Sequence, residues 1–382
     1  YLVVGLLRLA LAICVFCAHA SSFGVPVLRG EIAVEIFFVI SGFYMQLVLG
    51  DVYTPKRMGQ GWLKKFYLNR YLRLFPIYIA TVAATLAVNV LLQGGAVSPP
   101  LSALRAVFSL SDDPSNIALK AYLLLTNLTM FFQDAAMFIG VKHGLAHFVA
   151  DFSDSQIPIW QALAIPQAWS IGIELTFYMM APFLLRLASK KLLLIALASF
   201  VLKELFLVVF GSGFGWYGHL GVHPIPNVYG LWGFRFFPFE LSYFLVGALS
   251  CRFYRSSEFR LGRPTLRRQL AAYLVVLLSV TVFSLVFNRP EWSRMAPLLF
   301  AAFVPMLFSL FKNSTQDRAI GELSYPFYVS HLLCVRVTSP LEHSHGPAWA
   351  AAAAFVLAMG CSVALIKGGQ YFDGLRLRIR SV

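Results

Sequence analysis

Arg8 and His19 lie eleven residues apart in the first apolar run of the chain. At about 100° and 1.5 Å per residue, that spacing returns almost to one helical face and separates the two groups by roughly 16 Å. A cation thus stands near one end of the segment, and about three turns away stands an imidazole, the side chain best suited to exchange a proton near neutral pH. Ionisable groups inside an apolar helix are costly and mark a pathway or a reactive site; an Arg that snorkels to headgroups and a His at the interface are the structural alternatives. Glu31 and Glu35 open the second apolar run, which continues Phe37-Phe38-Val39-Ile40-Ser41-Gly42-Phe43. A carboxylate beside an imidazole can fix its tautomer and stabilise the imidazolium, whereas a Glu35–Arg29 pair would serve structure alone.

Three further groupings carry polar chemistry into apolar surroundings. The loop before the third span reads Phe66-Tyr67-Leu68-Asn69-Arg70-Tyr71-Leu72-Arg73-Leu74-Phe75-Pro76, with Arg70 and Arg73 on one side at i and i+3. Guanidinium pairs hold phosphate bidentately, and they also serve as plain positive-inside signals. Trp169-Ser170-Ile171-Gly172-Ile173-Glu174 leads to Tyr178, so Glu174 and Tyr178 share a face at i and i+4. Gly321-Glu322-Leu323-Ser324-Tyr325-Pro326-Phe327-Tyr328-Val329-Ser330-His331 places more polar groups in an apolar span, where hydrogen-bonded helix packing is the alternative to substrate contact.

The elements that must position these residues follow from composition. With 59% apolar and only 13% charged residues over 382 positions, the chain has too little polar surface for a soluble globule of this size. The formal charge of +14 is not a nucleic-acid signature, because no basic stripe alternates with aromatics on a polar face. Ten apolar segments approach the roughly 20 residues a bilayer requires, at 1–20, 33–50, 74–93, 169–188, 192–210, 236–253, 269–288, 294–312, 319–340 and 347–366. The reading is an all-α polytopic membrane protein. Most of the 31 Lys and Arg fall on one side: Lys56 to Arg73, Arg186 to Lys191, Arg252 to Arg268, Lys312 with Arg318, and Lys367 to Arg380. By the positive-inside rule that side is cytoplasmic, and both termini lie there. Residues 119–133 are apolar but too short to span, and are expected to be interfacial or re-entrant within an outer region 94–168; a second outer segment is 211–235. The domain reading is a membrane domain over 1–366 and a basic cytoplasmic tail over 367–382, with no appended soluble domain. Cys14 and Cys17 sit inside one hydrophobic helix rather than beside a βαβ unit, so no metal site is expected from the cysteines.

In order along the chain, these pieces resemble the acyltransferase 3 family of integral membrane O-acyltransferases. The resemblance rests on Arg8 with His19, the Phe37–Phe43 run, Arg70-x-x-Arg73-x-x-Pro76, Trp169-Ser170-x-x-x-Glu174-x-x-Phe177-Tyr178, and Ser324-Tyr325-x-x-Tyr328-x-x-His331. Glu35 stands where members often carry Asp. The resemblance implies a bundle of about ten helices in the inner (plasma) membrane. It further implies acyl-coenzyme A, by family default acetyl-coenzyme A, as donor from the cytoplasm, and a glycan or lipid-linked saccharide hydroxyl as acceptor. On this reading His19 is the general base, oriented by Glu35 or Glu174; Arg8, Arg70 and Arg73 hold the donor; Trp169, Tyr178, Ser324, Tyr325 and His331 contact substrate. Direct attack on the thioester and an acyl-histidine intermediate both remain open. The alternative from another class is a transporter or flippase of a lipid-linked sugar; against it, no matching pair of Gly/Pro-broken segments divides the chain into repeats.

Overall fold

In lipid, a chain can satisfy its backbone groups locally only as helix. The computed structural model, which describes residues 4–20, 28–91, 100–211, 228–256, 265–286 and 294–381, is accordingly built almost entirely of helices. In chain order they are α1 (Gly5–Ala20), α2 (Gly30–Asp51), α3 (Pro55–Met58), α4 (Trp62–Leu91), α5 (Leu101–Phe108), α6 (Pro114–Thr129), α7 (Trp169–Leu184) and α8 (Ser189–Phe210). They continue with α9 (Val228–Arg235), α10 (Phe237–Ser256), α11 (Leu266–Val286), α12 (Ala296–Phe311), α13 (Thr315–Thr338), α14 (Pro340–His345) and α15 (Pro347–Ser381). Each of the ten expected spans falls on one of them. Among the described residues, α2, α4, α8 and residues 347–372 of α15 are long and apolar enough to cross a membrane, while α1 and α12 are shorter apolar helices. Residues 94–99 and 212–227 of the expected outer segments, 92–93 and 287–288 at the ends of two expected spans, and Arg260 and Arg263 of the basic loop lie outside the described residues.

The sequence reading needs three corrections. Helix α4 begins at Trp62 rather than near residue 74, so Arg70 and Arg73 lie inside a helix and not in a loop before it. Lys64, Lys65, Arg70 and Arg73 depress hydropathy yet are good helix formers, so an apolarity criterion trims the helix to its lipid-facing part. The basic segment after 366 likewise continues α15 without a break to Ser381. Finally, the fold is not purely helical: β1 (Ile139–Lys142), β2 (Leu145–Phe148) and β3 (Ile157–Pro158) form a small antiparallel sheet in the order β2-β1-β3. Lys142 pairs with Leu145, which leaves His143 and Gly144 as a two-residue turn; both have positive φ, the conformation such hairpins require. The segment 119–133, expected to be interfacial or re-entrant, mostly forms α6.

The chain divides into two compact units. The first comprises Tyr1–Ile77, Met180–Ala196 and Tyr243–Val382. Here α2 is enclosed on almost every side, and most of what it buries is apolar. It packs against α1 and α12. Against α10 the approach is backbone to backbone: a Cβ added at Gly42 would strike the Phe244 backbone, and one at Gly247 would strike the Val39 carbonyl. Phe38 and Phe244 stack beside this crossing at 4.7 Å. At the basic end, Arg252 donates to Gln46 Oε1 (3.1 Å), Ser189 Oγ (3.0 Å) and the Leu185 carbonyl (2.8 Å). It thereby ties α10 to α2 and to the α7–α8 turn.

The second unit comprises Tyr78–Met179 and Leu197–Ser242. Its core joins α5 (Ala103, Val107), α6 (Leu119, Leu123) and the following segment (Ala136, Val141, Ile159, Ala162, Leu163). Asn116 Nδ2 donates to the Gly144 carbonyl (3.0 Å) while its Oδ1 accepts from Ala146 N–H (3.0 Å), so one buried amide fastens the hairpin to α6. Lys203 of α8 and Glu240 of α10 form an ion pair at 2.9 Å with neither side chain exposed.

Because the partners at Gly42 and Gly247 are backbone atoms and not side-chain tips, the packing cannot relax around a larger residue. Gly42→Leu and Gly247→Leu should each lower the melting temperature of the detergent-solubilised protein by ~5 °C or more. Gly360→Leu, where nothing lies within 4 Å, should leave it nearly unchanged; equal melting of all three would refute the close crossing.

Candidate functional site

The site in the first unit is organised along α13. Asp317, in its first turn and buried (4% exposed), accepts the Gly5 N–H at 2.7 Å and the Leu6 N–H at 3.1 Å. The first amides of a helix have no partner within it, and the helix dipole favours an anion there. A carboxylate from α13 therefore caps α1, and Tyr273 of α11 donates to the same carboxylate. Gly321 lies one turn on, where a Cβ would come within 2.6 Å of the Gly5 Cα, so the two helices meet through glycines.

From this anchor α1 and α13 run in the same direction. Phe16 meets Phe327 at 5.8 Å between ring centroids, and His19 meets His331 at 5.4 Å. Gly5 to His19 and Asp317 to His331 are equal spans of fourteen residues, about 21 Å of helix. The cap thus sets the register that brings the imidazoles together. His331 is wholly buried, while His19 is exposed at the end of α1. His331 Nδ1 lies 2.6 Å from the Tyr328 carbonyl. A carbonyl oxygen only accepts, so Nδ1 carries a hydrogen, and in the neutral ring Nε2 then holds the lone pair. That Nε2 is sealed from solvent and has no hydrogen-bond partner among the described residues. Phe16 and Tyr328 wall the ring at 6.4 and 5.8 Å.

Arg8 is half-buried one turn into α1, and its Nε is enclosed without a hydrogen-bond partner among the described residues. Arg70 is 4% exposed, and its Nε is in the same state. Helix α4 is fixed to α13 where Tyr325 donates to the Leu74 carbonyl at 2.8 Å, immediately after Arg73. Tyr325 precedes His331 by six residues, about 9 Å of rise. Arginines therefore flank one stretch of α13, and the imidazole pair lies further along it. Glu35 is buried (1% exposed) on α2, whose Phe37 ring lies 6.4 Å from Tyr328. The Ser324 hydroxyl donates to the Gly321 carbonyl of its own helix at 2.7 Å.

The remaining expected residues belong to the second unit. Tyr178 donates to Glu174 Oε1, and the Arg235 guanidinium lies 5.0 Å over the Trp169 ring. Neither Arg235 nor Asp317 was singled out in the sequence. The only signal at Asp317 is a capping pattern, since its own N–H donates to Ser314 Oγ at 3.1 Å. Beside α7, a Cβ on Gly172 would lie 2.7 Å from Asp134 Oδ1. Burial lifts the Asp134 carboxyl from 3.8 to about 7, against the lowering effect of its own and the Ala135 backbone amides. Among the described residues, no three His, Cys, Asp or Glu side chains gather as a metal site would.

Comparison with known proteins adds three findings. A family model described as an acyltransferase domain matches residues 3–367. A protein of Haemophilus influenzae strain Rd, described as uncharacterized, is 25% identical over 280 residues, covering 71% of this chain and 96% of its own. No solved structure matches.

Two outcomes follow from the site geometry. Asp317→Ala should cost about 1–2 kcal/mol in thermal or chemical unfolding, the scale of a lost cap with its dipole interaction, and Asp317→Asn, which keeps an acceptor oxygen, should cost less. Equal stability of Asp317→Ala and wild type would show that the carboxylate does not anchor α1. For Asp134, the folded pKa lies above the unfolded one, so the folded state holds the extra proton and stability falls as pH rises from 3.8 to about 7. The slope from this group is at most about 1.4 kcal/mol per pH unit. Asp134→Asn should remove that component from melts recorded between pH 4 and 8, and an identical pH dependence in the variant would contradict it.

Proposed function

The chain belongs to the acyltransferase family whose domain model covers residues 3–367, and from that premise we propose that it transfers an acetyl group from acetyl-coenzyme A to a hydroxyl of a glycan or lipid-linked saccharide. The chain is a multi-pass membrane protein. We place it in the cell's inner (plasma) membrane with ten spans and both termini cytoplasmic, so that the arginine end of α13 faces the donor pool.

The observation that carries this reading is the pairing of His19 with His331 at a helix spacing of about 16 Å from Arg8. An extended pantetheine arm is comparable in length. Phosphates held by Arg8, Arg70 and Arg73 would leave the thioester near the imidazoles. There His19 removes the proton of the attacking hydroxyl as the carbon–oxygen bond forms. The carbon–sulfur bond breaks, and the imidazolium returns that proton to the departing thiolate. Proton and acyl group are both accounted for, and the protein ends unchanged. Neutral His331 supports the step, because a cation developing on His19 faces an electron-rich ring in surroundings that screen poorly. Glu35, buried in the same unit, is the carboxylate we assign to orient His19; Glu174 with Tyr178, and Trp169, are assigned to the acceptor side.

The test is transfer of radiolabelled acetyl from acetyl-coenzyme A into the glycan and lipid fractions of membranes that contain the protein. Wild-type membranes should label one of them. His19→Ala, inserted at equal level, should lose roughly 10²–10⁴-fold of that rate, the usual cost of removing a positioned base. Retention of more than about a tenth of the activity would reject His19 as the base.

A further inference from the structure

The last fourteen residues of α15 lie beyond the span of the family match, which ends at residue 367. Its 35 residues measure about 52 Å as a helix, well over the roughly 30 Å of a hydrocarbon core, so its last turns project past the membrane. They project beside the basic first turns of α4: Asn69 Nδ2, on a side chain with no exposure, donates to the Arg376 carbonyl at 3.2 Å. Asn69 immediately precedes Arg70. At that level Arg70 is 4% exposed, with an Nε that no described residue satisfies. A buried guanidinium with an unmet donor is expensive unless an anion completes it. Arg73 follows one turn later, and the half-buried Arg376 is carried in from α15.

We propose that Arg376 is a phosphate ligand of the donor site, completing with Arg70 and Arg73 a three-arginine cradle from two helices. The inference rests on the acyl-coenzyme A reading above for the identity of the ligand. Coenzyme A carries a pyrophosphate and a 3′-phosphate, more anionic charge than Arg8 and the α4 pair together neutralise. A third planar fork from a second helix suits a ligand whose phosphates lie in two places. The same contact explains why α15 continues as a helix beyond the bilayer: Asn69 holds the turn that presents Arg376.

The experiment uses the full-length protein and three thioesters: acetyl-coenzyme A, acetyl-3′-dephospho-coenzyme A and acetyl-pantetheine, which has no phosphate. Arg376→Gln should raise the KM for acetyl-coenzyme A about tenfold with kcat within about twofold, because contacts remote from the thioester act alike in ground and transition states. The KM for acetyl-pantetheine should be the same in variant and wild type. Arg378→Gln, about 200° round the helix, should behave as wild type. An unchanged KM for acetyl-coenzyme A, or an equal rise for acetyl-pantetheine, would overturn the cradle. Calorimetric titration with desulfo-coenzyme A reads the cradle without turnover, and Arg376→Gln should weaken its Kd about tenfold. Wild type that binds this analogue yet transfers no acetyl would remove the acyltransferase reading and leave the cradle standing; a Kd unaltered by Arg376→Gln would do the reverse.

Discussion

A single carboxylate sets the geometry on which the functional reading depends. Asp317 accepts the first two amides of α1 and holds that helix at a defined height along α13. Two parallel helices of equal rise then carry the relation forward for fourteen residues without further adjustment. Interhelical packing alone would not define this height, because a smooth apolar seam in lipid allows sliding at small cost. The cap works because it is directional: amides at the end of a helix cannot be satisfied one turn higher or lower. Gly5 and Gly321 make it possible, since any side chain there would force the helices apart and lengthen the hydrogen bonds.

The same logic recurs at the crossing of α2 and α10. Glycines at 42 and 247 let two backbones touch, and rings at 38 and 244 fill the space beside them. Close backbone contact gains dispersion energy that lipid tails cannot match in one geometry. Hence the apolar Phe37–Phe43 run is more than a membrane anchor. Its Gly sets the separation of helices, and Glu35 two residues before the run is buried as a consequence of that enclosure.

What could be read from the sequence was what depends on local composition. Ten apolar runs became ten helices, because a run of Leu, Val and Phe has no other way to satisfy its backbone in lipid. Helix ends were less legible. The first turns of α4 and the last turns of α15 are basic, so hydropathy ended both helices early and put Arg70 and Arg73 in a loop. The β1–β2 hairpin was missed because four-residue strands are too short to show alternation against an apolar background. Asp317 was illegible in a deeper sense: its partner is 312 residues away, and nothing in the local pattern distinguishes a residue that caps its own helix from one that also caps another. Arg8, His19 and His331 were visible as costly polar groups in apolar runs; only the register between helices could show that two of them meet.

Charges buried in this protein fall into two kinds, and the difference bears on which of them serve binding. Lys203 and Glu240 are both without exposure and face each other at 2.9 Å. Each neutralises the other, so desolvation is offset within the fold and no outside ligand is required. Arg8 and Arg70 differ in that no described acidic residue forms an ion pair with either, and each keeps an enclosed Nε for which the described residues offer no acceptor. A structural role would leave such a cost standing at every moment of the protein's life, whereas a binding role leaves it only while the ligand is absent. The cost of the unmet Nε then becomes part of the affinity for an anion that arrives. On that ground the arginines, rather than the buried pair joining α8 and α10, are the cations we propose for a phosphorylated donor.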